Sequence, residues 1–158
     1  MHPKLVAGIL GALGAAVVGA IAWAAITAAT NFQIGYMAVG VGILVGYVMR
    51  VVSGGRDRME GIAAGVIALL GCILGNLLTA IVVIANHDHY AIGSAVAVVF
   101  SKPALALDLI RLGFNWMDLL FYAIAVYAGY RTALKPHEPA HDYDAGTQGN
   151  LPHDERTT

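Results

Sequence analysis

The chain predicts an all-α integral membrane protein: a four-helix transmembrane bundle with an outer interfacial amphipathic helix and a disordered C-terminal tail. Three observations predict it. Hydrophobic residues make up 58% of the 158 and charged residues only 12%, where an average soluble domain is about a quarter charged. Four apolar segments are bounded by polar or charged residues. Most of the 19 glycines fall inside those segments, as suits helices that approach closely in lipid.

The first apolar run, residues 5–29, carries no charge and at about 1.5 Å per residue exceeds the ~30 Å hydrocarbon thickness. Lys4 before it and Ala22-Trp23-Ala24 near its end imitate a secretory leader. The run is longer than a leader's apolar core, so a span is expected instead. After Thr30-Asn31, residues 32–49 form a second span of minimal length, closed by Arg50. Ser53 to Arg58 is a turn of glycine and charge, and residues 61–85 make the third span, ended by Asn86-His87-Asp88-His89.

Residues 91–100 are apolar but too short to cross, and Lys102-Pro103 interrupts the chain directly after them. A helix is expected over 101–112, capped by Ser101 with Pro103 in its first turn. It would place Leu105, Leu109, Leu112 and Trp116 on one face and Asp108, Arg111 and Asn115 opposite, the pattern of a helix lying in the interface. A re-entrant hairpin is the second possibility. The fourth span, 114–134, holds Asp118 near its start and Arg131 near its end, and crosses if Arg131 snorkels. The bundle domain then covers 1–135. Residues 136–158 hold few large apolar groups and form a flexible polar tail.

With four spans, Lys4, Arg50, Arg56, Arg58, Arg131 and Lys135 share one side against Lys102 and Arg111 on the other. Both termini are therefore expected in the cytoplasm.

In lipid, close helix interfaces come from small residues. Gly61, Gly65, Ala68, Cys72, Gly75 and Thr79 alternate at spacings of four and three along the third span, and Gly35, Ala38, Gly42 and Gly46 form a similar stripe on the second. Spans two and three are expected to pair as a tight antiparallel hairpin, with packing inside the chain favoured over a homodimer face. The first span is small on almost every side and names no partner.

Polar groups inside the membrane are the natural place to look for function. Asn76 and Tyr122 fall at similar depth, roughly 12–14 Å from the outer helix ends, and could hydrogen-bond across the bundle. With Asp118 they would form a small polar pocket opening outward, or merely a structural bond beside an interfacial aspartate; the latter is favoured. His87 and His89 could face a metal from the outer loop, although solvation is the ordinary fate of such residues. His137-Glu138-Pro139-Ala140-His141 has the letters of HExxH, but Pro139 defeats the required helix. Cys72 is the only cysteine, so neither an intrachain disulfide nor a cysteine zinc site is available. A net charge of -1 offers no field for nucleic acid. No cofactor is implied.

The strings Phe32-Gln33-Ile34-Gly35-Tyr36-Met37-Ala38-Val39-Gly40-Val41-Gly42, Leu70-Gly71-Cys72-Ile73-Leu74-Gly75-Asn76 and Asp118-Leu119-Leu120-Phe121-Tyr122-Ala123-Ile124-Ala125-Val126-Tyr127 resemble those of small bacterial inner-membrane proteins of uncharacterised function. Some of that group carry similar strings beside zinc-ribbon segments, which this chain lacks. The resemblance covers the spans and not the tail, and it implies a bacterial inner-membrane location without an activity.

The expected function is a non-enzymatic accessory or interaction subunit that docks through its small-residue faces onto a membrane-protein partner or a second copy. The alternative is a small oligomeric channel or carrier for an ion or small solute.

Overall fold

The computed structural model describes residues 3–30, 35–54, 57–87 and 91–134. Among them are six helices and no strand: α1 (Pro3–Thr30), α2 (Met37–Ser53), α3 (Arg58–His87), α4 (Ile92–Ser101), α5 (Pro103–Gly113) and α6 (Trp116–Ala133). The tail lies outside the described residues.

Two helices, α1 and α3, are long and apolar enough to cross a membrane, and a third crossing exists only if α4 and α5 count as one broken span. On length and composition alone, the expected four spans thus reduce to two or three. The 17 residues of α2 reach about 26 Å, and the 18 of α6 include Asp118 and Arg131.

Several boundaries also differ. α2 runs through Arg50 to Ser53, because a cation in the last turn suits the negative end of a helix and does not stop it. The stop is Gly54, whose φ of 100° lets its N–H reach back to the Arg50 carbonyl at 2.9 Å. At the start of α3, Asp57 Oδ1 accepts the Met59 N–H at 3.3 Å, so a charged turn doubles as a cap.

Residues 92–101 form a helix of their own, and α4 and α5 meet at a 106° bend. Ser101 is not the cap of α5. It closes α4, donating its hydroxyl to the Ala97 carbonyl at 2.6 Å, a local bond that serine makes readily. Lys102 stands at the α5 N-cap without a side-chain bond, and Pro103 opens the helix. Trp116 does not extend the α5 face; it begins α6 and is 74% exposed.

Four helices, α1, α2, α3 and α6, pack as a bundle, and α4 and α5 lean on α3. Neighbouring residues fix the directions. Gly8 faces Ser53 and Met49 while Gly19 faces Val41, so α1 and α2 are antiparallel. Gly71 meets Ala16 and Gly75 meets Trp23, so α1 and α3 are parallel; Gly61 meets Leu134 and Tyr130 while Gly65 meets Val126, so α6 runs against α3. α2 and α3 touch through the middle, with α1 on one flank and α6 on the other. This order brings Lys4, Arg50, Arg58 and Arg131 to one end, the basic end, and leaves α4 and α5 at the other.

The bundle helices turn many of their small residues inward and expose many large aliphatic ones, although α2 also buries Val41, Val45 and Met49 and α3 buries Ile67, Leu77, Ile81 and Val82. In α1, Ala12, Ala16, Gly19 and Ala20 face inward while Leu10, Val18 and Ile21 are each more than half exposed. In α6, Ala125 and Gly129 face inward and Leu119 and Leu120 outward. A soluble bundle does the reverse, because burial of large side chains is what stabilises it in water. Here many of the tight contacts have a glycine on one side, as suits helices that are compatible with lipid.

Candidate functional site

The predicted hairpin of spans two and three is a real contact but not the closest one. Cys72 Sγ donates to the Ala38 carbonyl at 3.6 Å, and a Cβ on Gly71 would lie 3.0 Å from Val41. The closest approach is between α2 and α6. Side chains added at Gly42 and Gly46 would run into the carbonyl oxygens of Ala125 and Gly129, and one at Gly35 would lie 2.6 Å from the Phe121 ring. The second-span stripe therefore belongs to α6.

The third-span stripe is divided among three helices. Gly61 and Gly65 face α6, as does Ala68 through Gly129; Cys72 faces α2; Gly75 receives the ring of Trp23 from α1, 2.7 Å from where its Cβ would be. A straight stripe is shared because neighbouring helices cross it at an angle. Thr79 continues the buried row, 3% exposed, with Oγ1 unpartnered among the described residues.

Asn76 and Tyr122 do meet. Asn76 Nδ2 donates to Tyr122 Oη at 3.1 Å, with both residues buried. The Phe114 ring stands edge-on to Tyr122, centroids 6.3 Å apart, beside this bond. A double-mutant cycle of Asn76→Ala and Tyr122→Phe, read by denaturant unfolding in detergent, is expected to give a coupling of about 1 kcal/mol, as for other interhelical bonds in membrane proteins. Additive single effects would mean that the bond contributes nothing to the bundle.

Asp118 does not join that pair. It is the third residue of α6, and its carboxylate accepts the Asn115 backbone N–H at 2.9 Å while the Asn115 side chain accepts from the third-position backbone, a complete capping box. Its chemistry is that of a helix start. Asn76 and Tyr122 thus make the interhelical bond of the favoured reading, and Asp118 caps a helix beside it. His87 is the exposed last residue of α3. His89 lies outside the described residues, as do the HExxH letters. Among the described residues no three His, Cys, Asp or Glu side chains gather as a metal set.

Two residues matter more here than their sequence suggests. Trp23, 2% exposed, is the one large side chain that α1 buries fully, and its Nε1 has no partner among the described residues. A lone bulky residue in a run of alanines, and a glycine on a facing helix, are the available signal. Glu60 is buried in the first turn of α3, 7% exposed, with Oε2 unpartnered among the described residues. A carboxylate there suits the positive end of the helix. Arg131 lies 5.9 Å from the Tyr127 ring centroid near the basic end, a cation held over an aromatic face.

A lateral groove opens on the side of the bundle. It lies between α3 and α6, has a volume of about 360 Å³, is lined by Gly61, Gly65, Val66, Val126, Tyr127 and Tyr130 among others, and is mostly apolar.

No family model, curated protein or solved structure matches the chain.

Proposed function

We propose that the chain is a four-span, non-enzymatic accessory subunit of a bacterial inner membrane, with both termini cytoplasmic, and that it docks onto a larger membrane protein through the α3/α6 groove. The observation that carries the reading is the division of the glycines. Gly35, Gly42, Gly46 and Gly75 are used up by contacts within the bundle, whereas Gly61 and Gly65 also line a groove open to the side. α6 already covers both glycines, and it is the exposed Val66 and Tyr127 at the groove that offer another helix an apolar surface.

Four crossings are supported by the large aliphatic side chains that α2 and α6 expose, Ile43, Val51, Leu119 and Leu120 among them, as α1 and α3 do. Tyr36 and Trp116 are exposed where α2 and α6 begin, as interfacial aromatics are. Clustering of Lys4, Arg50, Arg58 and Arg131 supports a cytoplasmic basic end. The bacterial assignment rests on the resemblance of the span strings. The channel reading is weaker, because Asn76, Tyr122 and Asp118 satisfy one another or the backbone and leave no polar path among the described residues.

A photo-crosslinking residue at Val66, in the groove, is expected to give a discrete protein adduct in native membranes. The same residue at Val18, on the far face of α1, is expected to label lipid alone. Equal adducts at both sites, or a lone monomer from mild-detergent purification, would count against docking through this groove.

A further inference from the structure

The end of the bundle that gathers Lys4, Arg50, Arg58 and Arg131 carries more positive charge than the acids beside it offset. Lys4, Arg58 and Arg131 are exposed and Arg50 is half-buried. Of the two acids described there, Asp57 caps α3 through the Met59 N–H at 3.3 Å, and Glu60 is buried. None of the four cations forms an ion pair with an acid among the described residues; Arg131 lies instead near the Tyr127 ring. Exposed charges of one sign set this close repel one another and draw anions.

The chain supplies anions from the same end. Residues 135–158 follow directly on α6, whose last turn holds Arg131. From His137 onward they carry Glu138, Asp142, Asp144, Asp154 and Glu155 against Arg156 alone. Covalent geometry sets their range. Asp142 is eight residues beyond Leu134 and Asp144 ten, so they can stand up to roughly 28 Å and 35 Å from it at about 3.5 Å per residue. Packed helices lie about 8–10 Å apart, which puts the ends of α1, α2, α3 and α6 within about 20 Å of one another. All four cations are therefore in range of both aspartates.

We infer that the acidic segment from Glu138 to Glu155 is the ligand of this basic end, folding back onto its own bundle and pairing with Lys4, Arg50, Arg58 and Arg131. Joined by so short a tether, its carboxylates meet the cations at an effective concentration of the order of millimolar. A free anion must reach that level to displace them. The contact rests on the helix directions and on charge, and it does not depend on the α3/α6 groove taking a partner.

The test uses the full chain in a zwitterionic detergent, with a nitroxide on Ala140→Cys and a Cys72→Ser change that leaves this label alone. A reporter at Met59→Trp, an exposed position beside Arg58, reads the basic end in a Trp116→Phe background, and the native Trp116 reads the opposite end. A nitroxide quenches tryptophan only at short range. At about 0.01 M salt, where charges act over ~30 Å, the label is expected to quench the Met59 reporter and to leave Trp116 unchanged. At about 1 M salt, where that range falls to ~3 Å, the quenching is expected to be lost. Glu138→Gln, Asp142→Asn and Asp144→Asn are each expected to lower the bound-to-free ratio about twofold at low salt, the worth of an ordinary exposed ion pair. These three changes leave the bundle's own sequence untouched. Arg58→Gln with Arg131→Gln is expected to weaken quenching from the other side of the contact. Absence of quenching at low salt, or quenching unchanged by salt or by neutralising the three acids, overturns the contact. Equal quenching of the Met59 reporter and Trp116 overturns the helix directions, and the contact with them.

Discussion

Gly42→Ala is expected to lower the stability of the detergent-solubilised bundle by at least 1–3 kcal/mol, about the cost of forcing one extra carbon into a packed interface. The added Cβ would overlap the Ala125 carbonyl oxygen and lie within 3.0 Å of the Ala125 Cα. These are backbone atoms of α6, with no rotamer to yield, so α2 and α6 must separate along their length. Helix propensity works the other way, since alanine is preferred to glycine by up to about 1 kcal/mol. The contact term is larger. Gly40 supplies the control two residues away, because a Cβ there meets nothing within 4 Å. Gly40→Ala is expected to leave stability unchanged or raise it slightly. Unfolding by a denaturing detergent, followed by helicity, measures both. Equal responses of Gly40→Ala and Gly42→Ala would show that α2 and α6 do not meet as described.

Trp23→Ala is expected to cost about 3–5 kcal/mol, the range for emptying a buried aromatic site. The ring is 2% exposed and lies over Gly75, so its removal leaves a void between α1 and α3 that neighbouring alanines are too short to fill. Trp23→Phe is expected to cost much less. The phenyl ring keeps most of the contact, and the lost Nε1–H has no partner among the described residues, so its burial is a penalty that the substitution relieves. Gly75→Ala should reproduce part of the alanine effect from the opposite side, because the new Cβ would lie 2.7 Å from the ring. The same unfolding assay ranks the three variants. A Trp23→Phe variant as unstable as Trp23→Ala would show that the indole nitrogen is bonded after all.

The long uncharged runs of α1 and α3 are legible as helices, with ends placed to within a few residues. The end of α2 is harder to read, because Arg50 looks like a stop and is instead a favourable last-turn cation. The better local signal is Gly54, which can enter the left-handed region that closes a helix. The α4–α5 elbow is half legible: Lys102-Pro103 marks a break, but a short apolar stretch before it carries no period that separates helix from loop. Ser101 before a proline looks like a cap, and becomes a helix end once α4 forms.

For the candidate site, matching depths alone bring Asn76 and Tyr122 together, and the bond between them agrees. Helical face groups Asp118 with the same pair. Its position three residues after Asn115 is the better guide, because that spacing makes a capping box.

Composition and apolar run length were enough, by themselves, to determine lipid-compatible helices through the described residues, since those properties depend on each segment alone. Small-residue stripes likewise announced that other helices come close. Which helix comes close was decided only by the tertiary structure. A glycine permits approach from any neighbour with a matching surface, so sequence proximity favoured the α2–α3 pair, whereas the backbone carbonyls of α6 occupy the space beside Gly42 and Gly46. The same packing directs Trp23 onto Gly75 and leaves Gly61 and Gly65 beside an open groove. Contact between distant segments depends on the crossing of whole helices, and no single stripe encodes it.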